Sequence, residues 1–356
     1  MAGEYTLREI MSQPDAWLLA LDHIDMQTSL LSSIQLHDYD EIIFTGCGST
    51  YYLALAAATL LRETGDVCAK GLPASEIWLY PKSAYRAGKK TLLIAVSRSG
   101  TTTETLRAVE SFKQRGQGLV LTLSCYPDSS LASLGDVNLV LPSGQEKSIA
   151  QTRAFSVLYL AAVALTQLWS RQPLTPLAAL SETCQQLLRH HVDLAKTLGT
   201  TPDLERTYFL GSGARYGLTC ELSLKMKEMT LSHSEPFHCL EFRHGPQAMV
   251  NEQTLIIGLV SEENESQERA VLDEMQARGA TVLSLAETAK HQSQADITDV
   301  TSGSMVEIAF NSGLEPNLRN ILYLPLLQLM AWERARAKNL NPDAPHNLTA
   351  VVVLDE

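Results

Sequence analysis

The chain has 356 residues, 45% of them hydrophobic, and a net charge of −12 at pH 7. This length predicts two domains rather than one, and the apolar content is typical of a globular protein. The acidic balance argues against a nucleic-acid partner, because binding a phosphate backbone requires a basic face.

The N-terminal residues do not indicate export, and the cysteines do not indicate a metal site. The first five residues lack the basic and apolar regions of a secretion signal, and no apolar run reaches the ~18 residues of a membrane span. The six cysteines form no Cys-x-x-Cys pair. We therefore expect a cytoplasmic protein with no membrane contact, no metal site and no cofactor.

Strand-like and helix-like segments alternate along the first half of the chain. A helical segment over 7–34, broken near Pro14, precedes a strand over 41–45, a glycine turn at 46–50 and an Ala/Leu-rich helix over 52–61. Further strands are predicted over 91–96, 119–124 and 137–141. Such alternation is typical of a parallel α/β sheet.

A turn rich in hydroxyl groups follows the strand over 91–96. Its donors are Ser97, Ser99, Thr101, Thr102 and Thr103, and a helical pattern begins immediately after them. Free N–H groups and the dipole at a helix start favour a bound anion, and hydroxyls add further donors. The turn is either a phosphate site without a Walker lysine or an ordinary Ser/Thr-capped helix start.

The second half repeats this order. Strands are predicted over 206–210, 254–260 and 281–285, with a glycine turn at 211–215 and a helix through 218–229. The glycine turns begin 165 positions apart and the strand ends Val96 and Val260 lie 164 apart, which indicates an internal duplication. Three carboxylates occupy 261–266, so we expect only the first half to bind phosphate. Neither glycine turn has the third glycine of a dinucleotide site.

The remaining segments are mostly helical. Helices are predicted over 152–171, 177–198 and 322–338, followed by a polar tail over 339–350 and a strand over 351–354. The predicted organisation is an N-terminal helical segment at 1–35, domains at 36–180 and 181–340, and a tail at 341–356.

Two further patterns could carry chemistry. Glu221, Lys225 and Glu228 share one face of the helix that starts from the second glycine turn, where α/β ligands bind; the alternative is a solvated salt-bridge row. His244 precedes Gly-Pro at a sharp turn and can titrate near neutrality, and His233 and His238 are alternative candidates. The non-functional interpretation is that His244 has only a structural role.

These motifs together resemble a known family. The turns at 46–48 and 97–104, the segment 150–155, the helix 224–228 and Arg243-His244-Gly245-Pro246 are similar to those of double-SIS phosphosugar isomerases. That family includes the isomerase half of glucosamine-6-phosphate synthase, glucosamine-6-phosphate deaminases, tagatose-6-phosphate ketose/aldose isomerases and fructosamine-6-phosphate deglycases. The resemblance implies an α/β fold of two SIS-type doubly wound domains, each a parallel sheet flanked by helices.

The resemblance also implies roles for individual residues. Glu228 would move a proton between C1 and C2 of the sugar, and His244, supplied by the second subunit of a homodimer, would help to open the ring. Lys225 and Glu221 would line the pocket. The phosphate would be bound by Ser97, Arg98, Ser99 and Thr102, with Ser49 and Thr50 nearby, and the pocket would include Gly48, Ala150, Gln151 and Ala350.

Two departures from the family pattern restrict the reaction. No glutaminase domain with an N-terminal cysteine is present, so we expect no synthase reaction. The tail reads Asn347-Leu348-Thr349-Ala350, with alanine where the family has a Schiff-base lysine, and Lys338 lies twelve positions earlier. We expect an isomerase or deaminase of a hexose or hexosamine 6-phosphate, with a fructosamine-6-phosphate deglycase or a non-catalytic sugar-phosphate sensor as alternatives.

Overall fold

The chain forms two compact units in a computed structural model, which describes residues 2–86, 88–116, 118–290, 303–352 and 354. The first unit comprises Ser12–Lys147, Gln151–Ser181 and Thr349–Glu356. The second comprises Met1–Met11, Ser148–Ala150 and Glu182–Leu348. The N-terminal segment is therefore divided between the units, and so is the tail.

Among its described residues, the first unit contains a five-stranded parallel sheet. The strands are β1 (Glu41–Gly46), β2 (Ala69–Pro73), β3 (Thr91–Ser97), β4 (Gly118–Ser124) and β5 (Val137–Val140). Their spatial order is β2-β1-β3-β4-β5. The central strands β1 and β3 are buried along their whole length, because helices cover both faces of a sheet of this kind.

The helices up to residue 169 surround this sheet, except for the first, which belongs to the second unit. They are α1 (Glu4–Met11), α2 (Gln13–Asp25), α3 (Thr28–Ser32), α4 (Ser49–Thr64), α5 (Ala74–Leu79), α6 (Pro81–Ala84), α7 (Thr103–Arg115), α8 (Ser130–Leu134) and α9 (Arg153–Trp169). Helix α9 is apolar on all sides and packs against α2 and α4, as expected of a helix buried all round.

The second unit repeats the arrangement. Its described strands are β6 (Arg206–Leu210), β7 (His233–Phe237), β8 (Thr254–Leu259), β9 (Thr281–Ala286) and β10 (Met305–Ala309), in the spatial order β7-β6-β8-β9-β10. Its further helices are α10 (Ala179–Thr200), α11 (Arg215–Thr230), α12 (Glu265–Ala277), α13 (Pro316–Arg319) and α14 (Leu324–Ala337). Helix α11 packs against β6, β7 and α14.

The two sheets have the same order, with the second strand of each unit outside the first and the third, fourth and fifth following on the other side. This confirms the predicted duplication and the predicted fold class of two doubly wound parallel sheets. In such sheets ligands bind beyond the carboxyl ends of the strands. No helix in the described ranges is long and apolar enough to cross a membrane.

The structure corrects two local predictions and confirms a third. The sequence analysis missed the edge strands β2, β7 and β10, which are short and partly polar; β2 and β7 also contain proline, which is tolerated at an edge. The predicted break near Pro14 is confirmed, because α1 ends at Met11 and α2 begins at Gln13 with Pro14 in its first turn. Residues 351, 352 and 354 form no strand, and Val353 lies outside the described residues.

Gly71 on β2 provides a test of the close packing between this strand and α4. A Cβ at Gly71 would lie 2.7 Å from backbone atoms of Ala54 and Leu55. We expect Gly71→Ala to lower the free energy of unfolding by about 1–3 kcal/mol, as overpacking typically does. Urea unfolding followed by circular dichroism measures this.

Gly65→Ala is the matched control. Gly65 has extended backbone, and its added Cβ would lie 3.6 Å from the Leu61 carbonyl oxygen. We expect a change within about 0.5 kcal/mol. Equal effects of the two substitutions would contradict this account of the packing.

Candidate active site

The hydroxyl turn of the first unit connects the end of β3 to the start of α7, and its own side chains hold it. The buried Ser97 Oγ accepts a hydrogen bond from the Gly100 N–H at 3.1 Å and lies 3.4 Å from Thr102 Oγ1. Ser99 Oγ accepts from both the N–H and the hydroxyl of Thr101, at 3.2 and 3.0 Å. The turn is thus a defined loop lined with hydroxyl oxygens at the carboxyl end of a central strand.

Gly100 is required for this geometry. Its φ of +66° lies in the left-handed region, and a Cβ would come within 2.2 Å of Ser129 Oγ. Its carbonyl accepts the N–H of Leu131 at 2.9 Å, which fixes the turn against the start of α8.

The glycine turn after β1 reaches the same edge of the sheet. Strands β1 and β3 are neighbours, with Thr45 opposite Ala95. Thr50 Oγ1 accepts the Cys47 N–H at 2.9 Å and donates to the Cys47 carbonyl at 3.0 Å. Gly48, with φ of +55°, immediately precedes α4, and Ser49 is buried in its first turn. The structure therefore brings the predicted residues 48–50 to the edge that carries the hydroxyl turn.

Arg98 contacts protein groups on its buried side. Its guanidinium is largely buried, with Nη1 3.6 Å from Glu146 Oε2 and Nη2 donating to the Ala350 carbonyl at 2.9 Å. Glu146 is fully buried and its other oxygen accepts from the N–H and hydroxyl of Thr152. The sequence analysis missed Glu146, and the assignment of Arg98 to phosphate stays a prediction.

The tail residues around Ala350 lie against the start of α7. Beside the contact between Arg98 and Ala350, the Val352 carbonyl accepts the Thr103 N–H at 3.5 Å, and the Leu354 N–H donates to Thr103 Oγ1 at 3.2 Å. The structure thus places the backbone of Ala350 beside the hydroxyl turn, and its contribution to the pocket stays a prediction. The side chain it presents there is a methyl group.

The two remaining pocket candidates belong to different units. Gln151, in the first, has a buried side-chain oxygen that accepts no hydrogen bond from the part of the chain that is described. Ala150, in the second, is buried, and its carbonyl accepts from Ser148 Oγ at 3.1 Å. Their contribution to a pocket stays a prediction.

In the second unit, α11 carries a buried row of three charges. Lys225 Nζ lies 3.4 Å from Glu221 Oε1 and donates a hydrogen bond to Glu228 Oε2. The side chains of Lys225 and Glu221 are 1% and 0% exposed, whereas that of Glu228 is 20% exposed. The alternative of a solvated salt-bridge row is therefore wrong. Of these three side chains, Glu228 is the one that reaches solvent.

His244 is the candidate histidine whose ring packs against no other aromatic ring of the described residues. It is exposed at the end of the turn Leu240–Arg243, and within the described ranges its ring forms no hydrogen bond or ion pair. His238 stacks on Tyr216 with ring centroids 3.8 Å apart, and burial lowers the pKa of its imidazole. His233 begins the edge strand β7, with its ring edge-on to Tyr208.

In the acidic turn of the second unit, the first backbone N–H group donates to a carboxylate from the following helix, α12. Glu268 Oε2 accepts the Ser261 N–H at 2.6 Å, and burial raises the pKa of Glu268. Arg215 lies 3.9 Å from the other oxygen of Glu268. The sequence analysis missed Glu268, although it lies 164 positions after Glu104, the offset already seen between the strand ends. Its carboxylate supports the expectation that this turn binds no phosphate.

The buried charges on α11 predict a specific stability pattern. Lys225→Met should lower the free energy of unfolding by about 3–5 kcal/mol, because it removes a cation from between two carboxylates of a buried network. Adding Glu221→Gln should recover part of this loss, since it removes the buried carboxylate. Urea unfolding of the wild type, both single variants and the double variant completes the cycle. A double variant no more stable than Lys225→Met would contradict the pairing.

Comparisons with known proteins agree with this architecture. The SIS domain family matches residues 35–168 and 203–301. The chain is 29% identical over 368 residues to a glutamine–fructose-6-phosphate aminotransferase (isomerizing) of Chlamydia caviae and 30% identical over 371 residues to that of Pyrobaculum aerophilum. Each match covers 99% of this chain, which spans 58% of the length of each relative.

Solved structures match over nearly the whole chain. The glucosamine-6-phosphate deaminase of Thermotoga maritima is 26% identical with a TM-score of 0.80, covering 99% of this chain and 100% of that one. The tagatose-6-phosphate ketose/aldose isomerase of Escherichia coli, 22% identical with a TM-score of 0.85, covers 99% and 97% and shares the fold. With both halves matched by the family model and both sheets in the same order, this chain belongs to the SIS domain family.

Proposed function

We propose that the protein is an enzyme that acts on a hexose or hexosamine 6-phosphate by moving a proton between C1 and C2. The observation that carries the proposal is the partly exposed Glu228 carboxylate held by the fully buried Lys225. The deaminase and isomerase named among its structural neighbours, and the aminotransferases among its relatives, support the substrate class.

The hydroxyl turn is the proposed phosphate site. Ser97, Ser99 and Thr102 present oxygens at the start of α7, where the helix dipole favours a dianion. Ser49 and Thr50 lie at the same sheet edge, and Arg98 holds the tail beside the turn. Binding energy from the phosphate, which does not react, would support the chemistry at the other end of the sugar.

Glu228 is the proposed acid and base. Its carboxylate removes the proton from C2 of the open-chain aldose, which leaves an enediolate with the negative charge on O1. The O2 hydroxyl proton moves to O1, and the Glu228 carboxyl returns its proton to C1 to give the ketose. The neighbouring Lys225 ammonium donates a hydrogen bond to this carboxylate and holds it in place. His244, exposed and with a free ring, suits the ring-opening step, and we further propose that it acts in a cytoplasmic homodimer.

An amino sugar would follow the same path to a different product. If C2 carries an amino group, proton transfer from C2 to C1 gives an imine at C2, which water hydrolyses to the ketose and ammonia. The nitrogen comes from the substrate, so no tail amine is needed. The alanine at position 350 is compatible with this route.

Turnover of glucosamine 6-phosphate tests the proposal, with ammonia and ketose formation as readouts. Glu228→Gln should lower kcat by about 10²–10⁴-fold, the usual contribution of a general base, while sugar-phosphate binding remains. Glu252→Gln, an exposed carboxylate elsewhere in the second unit, is the control and should leave kcat unchanged. No turnover of any hexose or hexosamine 6-phosphate would reject the enzyme and favour a non-catalytic sensor.

The phosphate site has a separate test. Ser97→Ala and Thr102→Val each remove a hydroxyl from the turn, and we expect each to raise KM about 10–100-fold, as for a lost hydrogen bond to a charged group. Ser133→Ala, which removes an exposed hydroxyl from α8, should leave KM unchanged. Direct binding measurements would show whether the higher KM reflects weaker binding. Unchanged affinity in both turn variants would place the phosphate elsewhere.

A deglycase is the second candidate, and the methyl side chain at position 350 favours it. An adduct of fructose 6-phosphate with an amino acid carries its own nitrogen, as an amino sugar does. Comparing kcat/KM for the adduct and for glucosamine 6-phosphate distinguishes the two activities. A preference for the amino sugar would count against the deglycase.

A further inference from the structure

The second unit contains a cavity of about 390 Å³ at the amino-terminal edge of its sheet. It is lined by the segment after α10, the connection from α11 to β7 and the end of α14. Glu205 directly precedes β6 and His233 begins β7, so the cavity opens at the opposite end of these strands from the glycine turn at 211–213. It is therefore separate from the strand ends discussed above.

Two cations line this cavity. Arg334, only 8% exposed, donates to Ser232 Oγ at 2.9 Å and to the carbonyls of Thr201 and Leu204. Lys338 donates to Ser232 Oγ at 3.3 Å and to the Leu231 carbonyl at 3.5 Å. All of these acceptors are neutral, and within the described ranges neither cation forms an ion pair. Burial lowers the pKa of both side chains, and the charge of Arg334 lowers that of Lys338 further.

The first unit has a corresponding cavity with a different set of charges, which includes Arg171, Asp40 and Asp66. Its cavity, of about 810 Å³, is lined by segments that include 34–37, 64–68 and 168–172. Segments 165 positions later line the cavity of the second unit. At that offset Trp169 corresponds to Arg334 and Pro173 to Lys338. The fold thus forms a cavity here in either copy, whereas the pair of cations is particular to the second.

We propose that the cavity of the second unit binds a phosphate dianion, free or as a small monoester, through Arg334 and Lys338. Two cations that share the Ser232 hydroxyl repel each other, and a dianion between them would replace repulsion with two charge-assisted hydrogen bonds. The volume exceeds that of a phosphate ion, which leaves space for a small organic group. Glu205, on the cavity wall, would oppose an anion and so limit its affinity.

Calorimetric titration of the full chain with inorganic phosphate and with glycerol 3-phosphate tests this site. The Ser97→Ala/Thr102→Val background weakens the phosphate site proposed in the first unit, so the two sites are distinguished. In that background Lys338→Gln should weaken binding about tenfold or more, as for a lost charge-assisted hydrogen bond, and Lys338→Arg should retain it. Glu205→Gln should tighten it.

Arg336→Gln is the matched control. It makes the same charge change two residues away, but the Arg336 guanidinium lies over the Trp332 ring, 4.9 Å from its centroid, and does not line the cavity. Unchanged affinity in Arg336→Gln beside weakened binding in Lys338→Gln would support the site. Equal affinities in these two variants, or no binding of either probe at millimolar concentration, would overturn it. Tighter binding of one probe identifies the free ion or the monoester as the ligand.

Discussion

The buried ion-pair row on α11 is the constraint on which the proposed chemistry depends. Removing three charges from water is costly, and the cost is offset only when the partners are well placed. Helical spacing places Glu221 and Glu228 one turn on either side of Lys225. Packing of α11 against the sheet and α14 excludes water from the side chains of Glu221 and Lys225. Glu228, held by Lys225, is left as the carboxylate of this row that can meet a ligand.

The two units share one backbone arrangement, and they differ in the side chains at the turn after the third strand. In the first unit the turn after the third strand contains hydroxyl groups, and hydrogen bonds to the side chains of Ser97 and Ser99 fix its shape. In the second, Glu268 accepts the Ser261 N–H. A carboxylate already bound to that N–H competes with any incoming anion. Under the proposed function, the same backbone edge therefore binds phosphate in one unit and opposes it in the other.

The sequence predicted what depends on local pattern. Central strands such as β3 are continuous apolar runs because both of their faces are covered, whereas the edge strands β2, β7 and β10 lack that signal. Spacing placed Glu221, Lys225 and Glu228 on one face of a helix, but charge alone suggested solvent, and their burial follows from tertiary packing. The contacts of Arg98 with Glu146 and Ala350 join residues far apart in the chain, and no local pattern encodes them.

The position of the tail and the alanine at residue 350 restrict the reaction that the proposed function allows. The Ala350 carbonyl is fixed by Arg98, and the backbone of residues 352 and 354 is hydrogen-bonded to Thr103, so position 350 lies beside the hydroxyl turn. A methyl group there cannot form an iminium with a ketose. The Lys338 side chain is bound to the Leu231 carbonyl and to Ser232 Oγ, at the amino-terminal edge of the second sheet. Under the proposed function, the substrate must therefore either react through an enediol or carry its own nitrogen. The second route is a deamination, which is the reverse of an amination.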